Sequence, residues 1–176
     1  MDADARFGAE TLRLHSLTDH AGILRRGDRE CLEVAMERIS RRLPQLFVAV
    51  YTGTLGEAAD LRQFGFWLLN RGTFEDVPAD KSNDAGILIT IDPRSKAAGM
   101  AYGYLLDPFL KEADTFECLS RGHAYWLEQR YTEGLVRTLV HLEGILCKRS
   151  RQARRHSGFF QRKVAPPALK IPEVRL

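Results

Sequence analysis

Apolar residues recur at spacings of three and four from Leu32 through Ala35, Met36 and Ile39 to Leu43. That is one face of a helix, so the spacing predicts a helix over about 29–43, capped by Asp28 and stopped by Pro44. Residues 46–51 (LFVAVY) are continuously apolar, β-branched and aromatic, and read as a strand buried on both faces. Residues 57–70 return to helical spacing, with Ala58, Leu61, Phe64, Gly65 and Leu68 inward, and Arg71 to Asn83 carries the Gly, Pro and charge of a loop. Residues 86–91 (GILITI) are the strongest strand signal in the chain, followed by a turn at Asp92-Pro93-Arg94-Ser95. A returning antiparallel strand is expected over 97–103, where Gly99 and Gly103 either weaken it or mark close approach of another backbone. Pro108 opens a helical region to about Arg130, with a break expected near Arg121-Gly122. A last helix is expected over about 133–150, capped by Thr132, with Leu135, Leu139, Leu142 and Leu146 as its inner stripe.

The predicted order is helix, strand, helix, strand, strand, helix, helix. Helix-separated strands followed by a hairpin predict an α/β fold: a mixed β-sheet sandwiched between α-helices in three layers. At 176 residues the chain is one domain's length. Residues 1–16 read as a lead-in, 17–150 as the domain, and 151–176 as a basic, proline-containing tail.

Charge changes this picture in one place. The net charge is +3, yet seven of the Lys and Arg residues lie between Lys148 and Lys163 with no acid among them. Lys148, Arg149, Arg151, Arg154 and Arg155 are the candidate basic-tail residues of that run. Such a cluster suits phosphate, nucleic acid or an anionic membrane surface; the plainer reading is a helix end running into a solvated tail, where cations are favourable at the helix C-terminus. Phe159-Phe160 beside it favours a membrane or protein partner over nucleic acid. Three cysteines, Cys31, Cys118 and Cys147, without CxxC spacing, exclude a disulfide framework and a cysteine-rich zinc site. Cys31 and Cys147 fall near expected inner helix faces and read as core thiols. No apolar run approaches a membrane span. Met1–Glu10 lacks the apolar core of a signal peptide, although a processed chain would look the same, so the compartment stays open.

Catalytic motifs are sparse. There is no G-x-S-x-G elbow, HExxH, P-loop or G-x-G-x-x-G. Ser120-Arg121-Gly122-His123 lies in helical context, and His123 reads as a helix-surface residue rather than a nucleophile. Four segments nevertheless stand in a telling order: Thr18-Asp19-His20-Ala21-Gly22-Ile23-Leu24, the first helix-to-strand unit ending at Tyr51, Asn83-Asp84-Ala85-Gly86 running into the central strand and its Asp92-Pro93-Arg94 turn, and Gly103-Tyr104-Leu105-Leu106-Asp107. Together with Tyr131-Thr132 and Gly134-Leu135 they resemble the TPM domain family, named for thylakoid lumen, photosystem repair and acetylcholine-receptor auxiliary proteins. The resemblance covers about residues 17–149. Leu105 replaces a glycine usual in the family, and the Arg71–Lys81 loop is longer and more charged.

The resemblance implies a sheet between helices with acids near a cleft, in a family that includes an acid phosphatase, calcium binders and accessory proteins of membrane complexes, often exported or membrane-associated. Asp19, Asp84 and Asp92 match its acidic positions. Asp84 and Asp92 bracket one strand and stand roughly 26 Å apart, too far to share an ion. Asp19 could join either of them; it is paired with Asp84 and Asn83, whose strand-entry loop can cluster oxygen ligands, as a candidate Ca²⁺ or Mg²⁺ site, against the alternative that Asp19 caps the turn after it and Asp84 serves its own turn. Arg94 is a candidate anion contact, or a plain exposed turn residue. The functional expectation is a non-catalytic accessory module with a protein partner, the alternative a divalent-metal-dependent phosphatase or a calcium-binding domain.

Overall fold

The computed structural model describes Phe7, residues 11–55 and residues 60–155. The strands are β1 (Leu12–Leu14), β2 (Leu17–Asp19), β3 (Phe47–Thr52), β4 (Gly72–Phe74), β5 (Gly86–Asp92) and β6 (Ala97–Tyr102). The helices are α1 (Arg26–Arg42), α2 (Leu61–Arg71), α3 (Glu112–Leu127) and α4 (Tyr131–Arg155). Short 3-10 turns occupy Asn83–Ala85 and Tyr104–Leu106. A four-stranded sheet runs β2-β3-β5-β6, parallel except for the antiparallel β6, and β1 pairs with β4 in a separate parallel ribbon.

All seven residues of β5 are buried. Their alternation divides the core. Ile87, Ile89 and Ile91 face a layer built from α1, α3 and α4, including Leu32, Ile39, Cys118, Leu135 and Leu139. Leu88 faces Phe64, Trp67, Leu68 and Leu69 of α2 together with Leu14 and Phe74 of the ribbon. This is the expected three-layer α/β arrangement. The steps from β2 to β3 and from β3 to β5 run the same way across the sheet, yet α1 and α2 lie on opposite faces. The two crossovers therefore have opposite hands, and one is an exception to the right-handed rule.

Several expectations are corrected. Leu12–Leu14, read as lead-in, is β1, and Gly72–Phe74, read as loop, is its partner. The first helix starts at Arg26, so Asp28 is no cap: it sits one turn in and accepts from the Arg25 N–H at 2.9 Å. α2 starts at Leu61, with Asp60 accepting from the N–H groups of Arg62 and Gln63. α3 does not break at Gly122, and α4 runs on to Arg155 rather than ending near 150. Cys31 is exposed rather than a core thiol. Residues 156–176, expected as the extended part of the tail, lie outside the described residues.

Glycines permit the closest contacts. A Cβ on Gly99 would stand 2.9 Å from Leu61 of α2, and one on Gly103 would stand 2.2 Å from the Asp84 carbonyl oxygen, so both positions are close backbone approaches. Gly122 and Gly134 let α3 and α4 meet around Trp126. A Cβ at Gly134 would lie 2.2 Å from the Trp126 Nε1, with nowhere to go in a packed interior.

Two glycines of α4 should therefore respond with opposite sign. Gly134→Ala is expected to cost about 1–3 kcal/mol through overpacking against the indole. Gly144→Ala, with open space around its Cβ position, is expected to stabilise by up to about 1 kcal/mol through helix propensity. Calorimetric melting of the two variants checks this; equal shifts would contradict the packing described.

Candidate functional site

The chain leaves β2 toward one face of the sheet and β3 toward the other, the arrangement that opens a crevice beyond the carboxyl ends of parallel strands. Register brings Asp19, Thr52 and Ile91 side by side at that edge, with Asp92 next along β5. Asp19 is fully buried as a side chain. Its Oδ1 accepts from the Thr52 hydroxyl at 2.5 Å and the Ile23 N–H at 3.2 Å. Its Oδ2 accepts from the Leu24 N–H at 2.9 Å and from Arg29 at 3.3 Å. Burial pushes this carboxyl up, but the Thr52 hydroxyl, the Leu24 and Ile23 N–H groups and the Arg29 charge together outweigh it and hold it below the usual carboxylate range. Asp92, 1% exposed, accepts from the N–H groups of Arg94 (2.9 Å), Ser95 (3.3 Å) and Leu55 (3.2 Å). Both acids thus organise the loops around them.

His20 and Tyr51 complete the rim. The His20 Nδ1 lies 3.2 Å from the Tyr51 hydroxyl, and burial raises the Tyr51 pKa above its ordinary value. The Tyr51 ring packs close to Gly53, where a Cβ would stand 2.7 Å from it. The His20 and Ala21 N–H groups both donate to the Thr52 carbonyl. Arg94 stands exposed on the β5–β6 turn at the same edge, with its backbone N–H engaged by Asp92.

Asp84 and Asn83 are at the other end of the sheet. They precede β5, whereas Asp19 is level with its penultimate residue, a separation on the order of 20 Å at the rise of a strand. The proposed grouping of Asp19, Asn83 and Asp84 around one cation therefore does not form. The Asn83 side-chain amide donates to the Gly72 carbonyl at 2.9 Å and ties β4 to β5. The Asp84 carboxylate accepts from Ser82 within its own turn at 3.1 Å. Among the described residues no three His, Cys, Asp or Glu side chains converge as a metal-binding group.

The basic run also divides. Arg149 is no free cation: it holds Asp114 through its two terminal guanidinium nitrogens, at 2.5 and 2.6 Å, and donates to the Phe109 carbonyl at 2.7 Å. Burial raises the Asp114 carboxyl, and the Arg149 contacts and the Lys111 N–H more than reverse this. Lys148, Arg151, Arg154 and Arg155 are exposed. Arg154 borders an apolar cavity of about 460 Å³ at the amino end of the sheet, lined by Leu43, Leu46, Leu105, Phe109 and Leu146. Sequence reasoning also missed Glu143, which is nearly buried in α4 and is held by Arg38 (2.7 Å) and Arg42 (3.1 Å) of α1. The Cys118 thiol, pushed up to about 12 by burial and then by Asp114 and Glu117, is inert packing. No described helix is long and apolar enough to cross a membrane.

No family model and no curated protein matches this chain. Solved structures do share its fold. The N-terminal domain of a protein from P. gingivalis aligns at a TM-score of 0.59 with 18% identity, over 82% of this chain and 87% of that one. The N-terminal domain of the cg2496 protein from Corynebacterium glutamicum gives 0.57 and 11%, over 74% and 78%. The BA42 protein from the psychrophilic Bizionia argentinensis gives 0.55 and 12%, over 71% and 82%. These similarities establish the α/β architecture.

Asp19→Asn is expected to lose about 2–3 kcal/mol at neutral pH, because the charge that four donors address is gone. The folded pKa lies below the unfolded value near 3.9, so the native contribution is present above that value and fades as pH falls through the folded pKa. Denaturant unfolding from pH 7 down to pH 2 should show the gap between wild type and variant closing below about pH 4. A gap constant over that range would contradict the role given to the carboxylate.

Proposed function

We propose that this chain is a divergent TPM-type domain acting as a non-catalytic interaction module. The four resembling segments fall on β2 and its loop, on α1 with β3, on the 3-10 turn with β5 and its hairpin, and on the turn after β6. Gly103 of the last segment packs on Asp84 of the third. The reading is carried by one observation: the acids at the carboxyl edge are engaged by fixed donors, four on Asp19 and three on Asp92. A carboxylate saturated in this way stabilises loops and does not reach out to a cation or activate water.

The test is a melting series in millimolar CaCl₂ and MgCl₂ against KCl of matched ionic strength, with hydrolysis of an aryl phosphate followed in parallel. A module of this kind shows no divalent-specific rise in Tm and no turnover. A rise in Tm with Ca²⁺ or Mg²⁺ that Asp92→Asn removes would replace this reading with the metal-dependent one, since a ligand of the native state raises its melting point.

A second reading, contact with an anionic membrane surface, is favoured by the carboxyl end of α4. Lys148, Arg151, Arg154 and Arg155 there have no carboxylate partner among the described residues. Each exposed cation near a phosphatidylserine-rich surface contributes about 1 kcal/mol. Sedimentation with phosphatidylserine-containing vesicles should carry the protein down at low salt, and the triple variant R151E/R154E/R155E should stay in solution. Equal partition of both proteins would exclude this surface.

A further inference from the structure

β6 is the outer strand of the sheet, and its free side can be read from hydrogen-bond parity. The Gly103 N–H donates to the Gly86 carbonyl at 2.9 Å, which makes Gly86 and Gly103 a hydrogen-bonded pair. Alternation along an antiparallel ladder then turns Ala97, Gly99 and Ala101 toward β5. The Gly53 N–H bond to the Ile91 carbonyl agrees, since it assigns the odd positions of β5 to β3. The N–H and C=O groups of Ala98, Met100 and Tyr102 therefore point away from the sheet, and no hydrogen bond among the described residues reaches them.

This edge is framed but not covered. α2 packs on one face beside it and α3 on the other. An ion pair between Arg62 of α2 and Glu112 of α3 joins the two faces around the strand. Cavities of about 430 and 350 Å³ lie along the edge, both bordered by Arg62 and both reaching Met100. Phe66, 56% exposed, borders the one toward Tyr102, and Phe116, 74% exposed, borders the one toward Ala98. Proteins commonly blunt a free edge with proline, lysine or a bulge. Within Ala97–Tyr102 there is no proline or lysine, and every residue has its β5 partner in unbroken register.

We propose that β6 is the pairing edge of a homodimer, in which the β6 strands of two copies lie antiparallel about a two-fold axis at Met100. In this register Met100 meets Met100 of the second copy and Ala98 meets Tyr102, so every outward donor finds an outward acceptor and the four-stranded sheet of one copy continues into that of the other. Charge selects the second copy as the occupant. Lys96 is exposed just before the strand and Asp107 just after it, and neither has an ion-pair partner among the described residues. The two-fold sets the Lys96 end of each copy against the Asp107 end of the other. The Arg62–Glu112 pair lies 64% and 74% exposed in its side chains, so it is a weak strap that swings aside on pairing. The inference is independent of the proposed function, because a catalytic domain would pair the same edge.

Light scattering of the full chain over a concentration series, with amide hydrogen exchange on the same samples, tests the proposal. The average mass should climb from 20.0 kDa toward twice that value. The amides of Ala98, Met100 and Tyr102 should gain protection in step with it, while those of Ala97, Gly99 and Ala101 are protected throughout. Ala98→Pro removes an outward donor and no bond to β5, so it should stay at the monomer mass with a melting temperature close to wild type. K96E and D107K should each weaken the dimer at least several-fold, and the double variant should recover it. Arg62→Ala, which removes the strap, should tighten it by about two- to fivefold. A constant monomer mass up to millimolar chain would overturn the proposal. So would a dimer that survives Ala98→Pro, or a K96E defect that D107K does not repair.

Discussion

The carboxylate of Asp19 receives its four hydrogen bonds from the hydroxyl of Thr52 on β3, the N–H groups of Ile23 and Leu24 in the loop after β2, and the guanidinium of Arg29 on α1. Strand, loop and helix are thereby fixed to one point. β2 is three residues long and pairs only with β3. Beyond that short ladder, β2 is held by the His20 and Ala21 N–H groups on the Thr52 carbonyl and by buried Leu17, and the Asp19 clasp adds the link to the start of α1. A buried carboxylate is tolerated because its neighbours return more than desolvation costs, and the downward shift of its pKa reports that balance. The same bonds that build the loop occupy both oxygens of the acid, and on them the proposed reading of this edge as a scaffold rests.

Periodicity was informative wherever an element was long enough to show a face. α1 buries Leu32, Ala35, Met36 and Ile39, and α4 buries Leu135, Leu139, Leu142 and Leu146, the stripes their spacing predicts. β5 was legible because it is apolar without interruption, as a strand between two helical layers must be. β1, β2 and β4 were invisible, since three residues contain no period, and their positions follow from partners elsewhere in the chain. Gly122 was misread for a different reason. A glycine in a helical pattern signals either an end or a close contact, and local sequence does not separate the two; here Trp126 and Gly134 across the α3–α4 crossing decide it.

The candidate site failed at the same missing strand. In a parallel sheet, residues that follow strands share one edge and residues that precede them share the other. Asp19 ends β2 and Asp84 precedes β5, so once β2 is known to run parallel to β5 through β3 the two cannot meet. Had Leu17–Asp19 been recognised as a strand, its direction alone would have grouped Asp19 with Asp92. The Arg149 misassignment has another origin. A run of basic residues counts charge but not face, and within about two turns of helix it holds both an inward arginine that grips Asp114 and outward ones at positions 151, 154 and 155.

The distribution of charge explains what surface is left for function. Asp19, Asp92, Asp114 and Glu143, the acids with the least exposure to water, each bind fixed donors of the fold. Many of the exposed acids serve local pairs on single helices, such as Glu30 with Arg26, Glu37 with Arg41 and Glu117 with Arg121, which contribute little to stability and nothing to recognition at a distance. Few exposed carboxylates are left uncommitted among the described residues. What the surface offers instead is the outward backbone of β6, unbonded among the described residues, the exposed rings beside that strand, and the cations at the end of α4. The proposed interactions rest on these three features, which present backbone, apolar shape and summed charge.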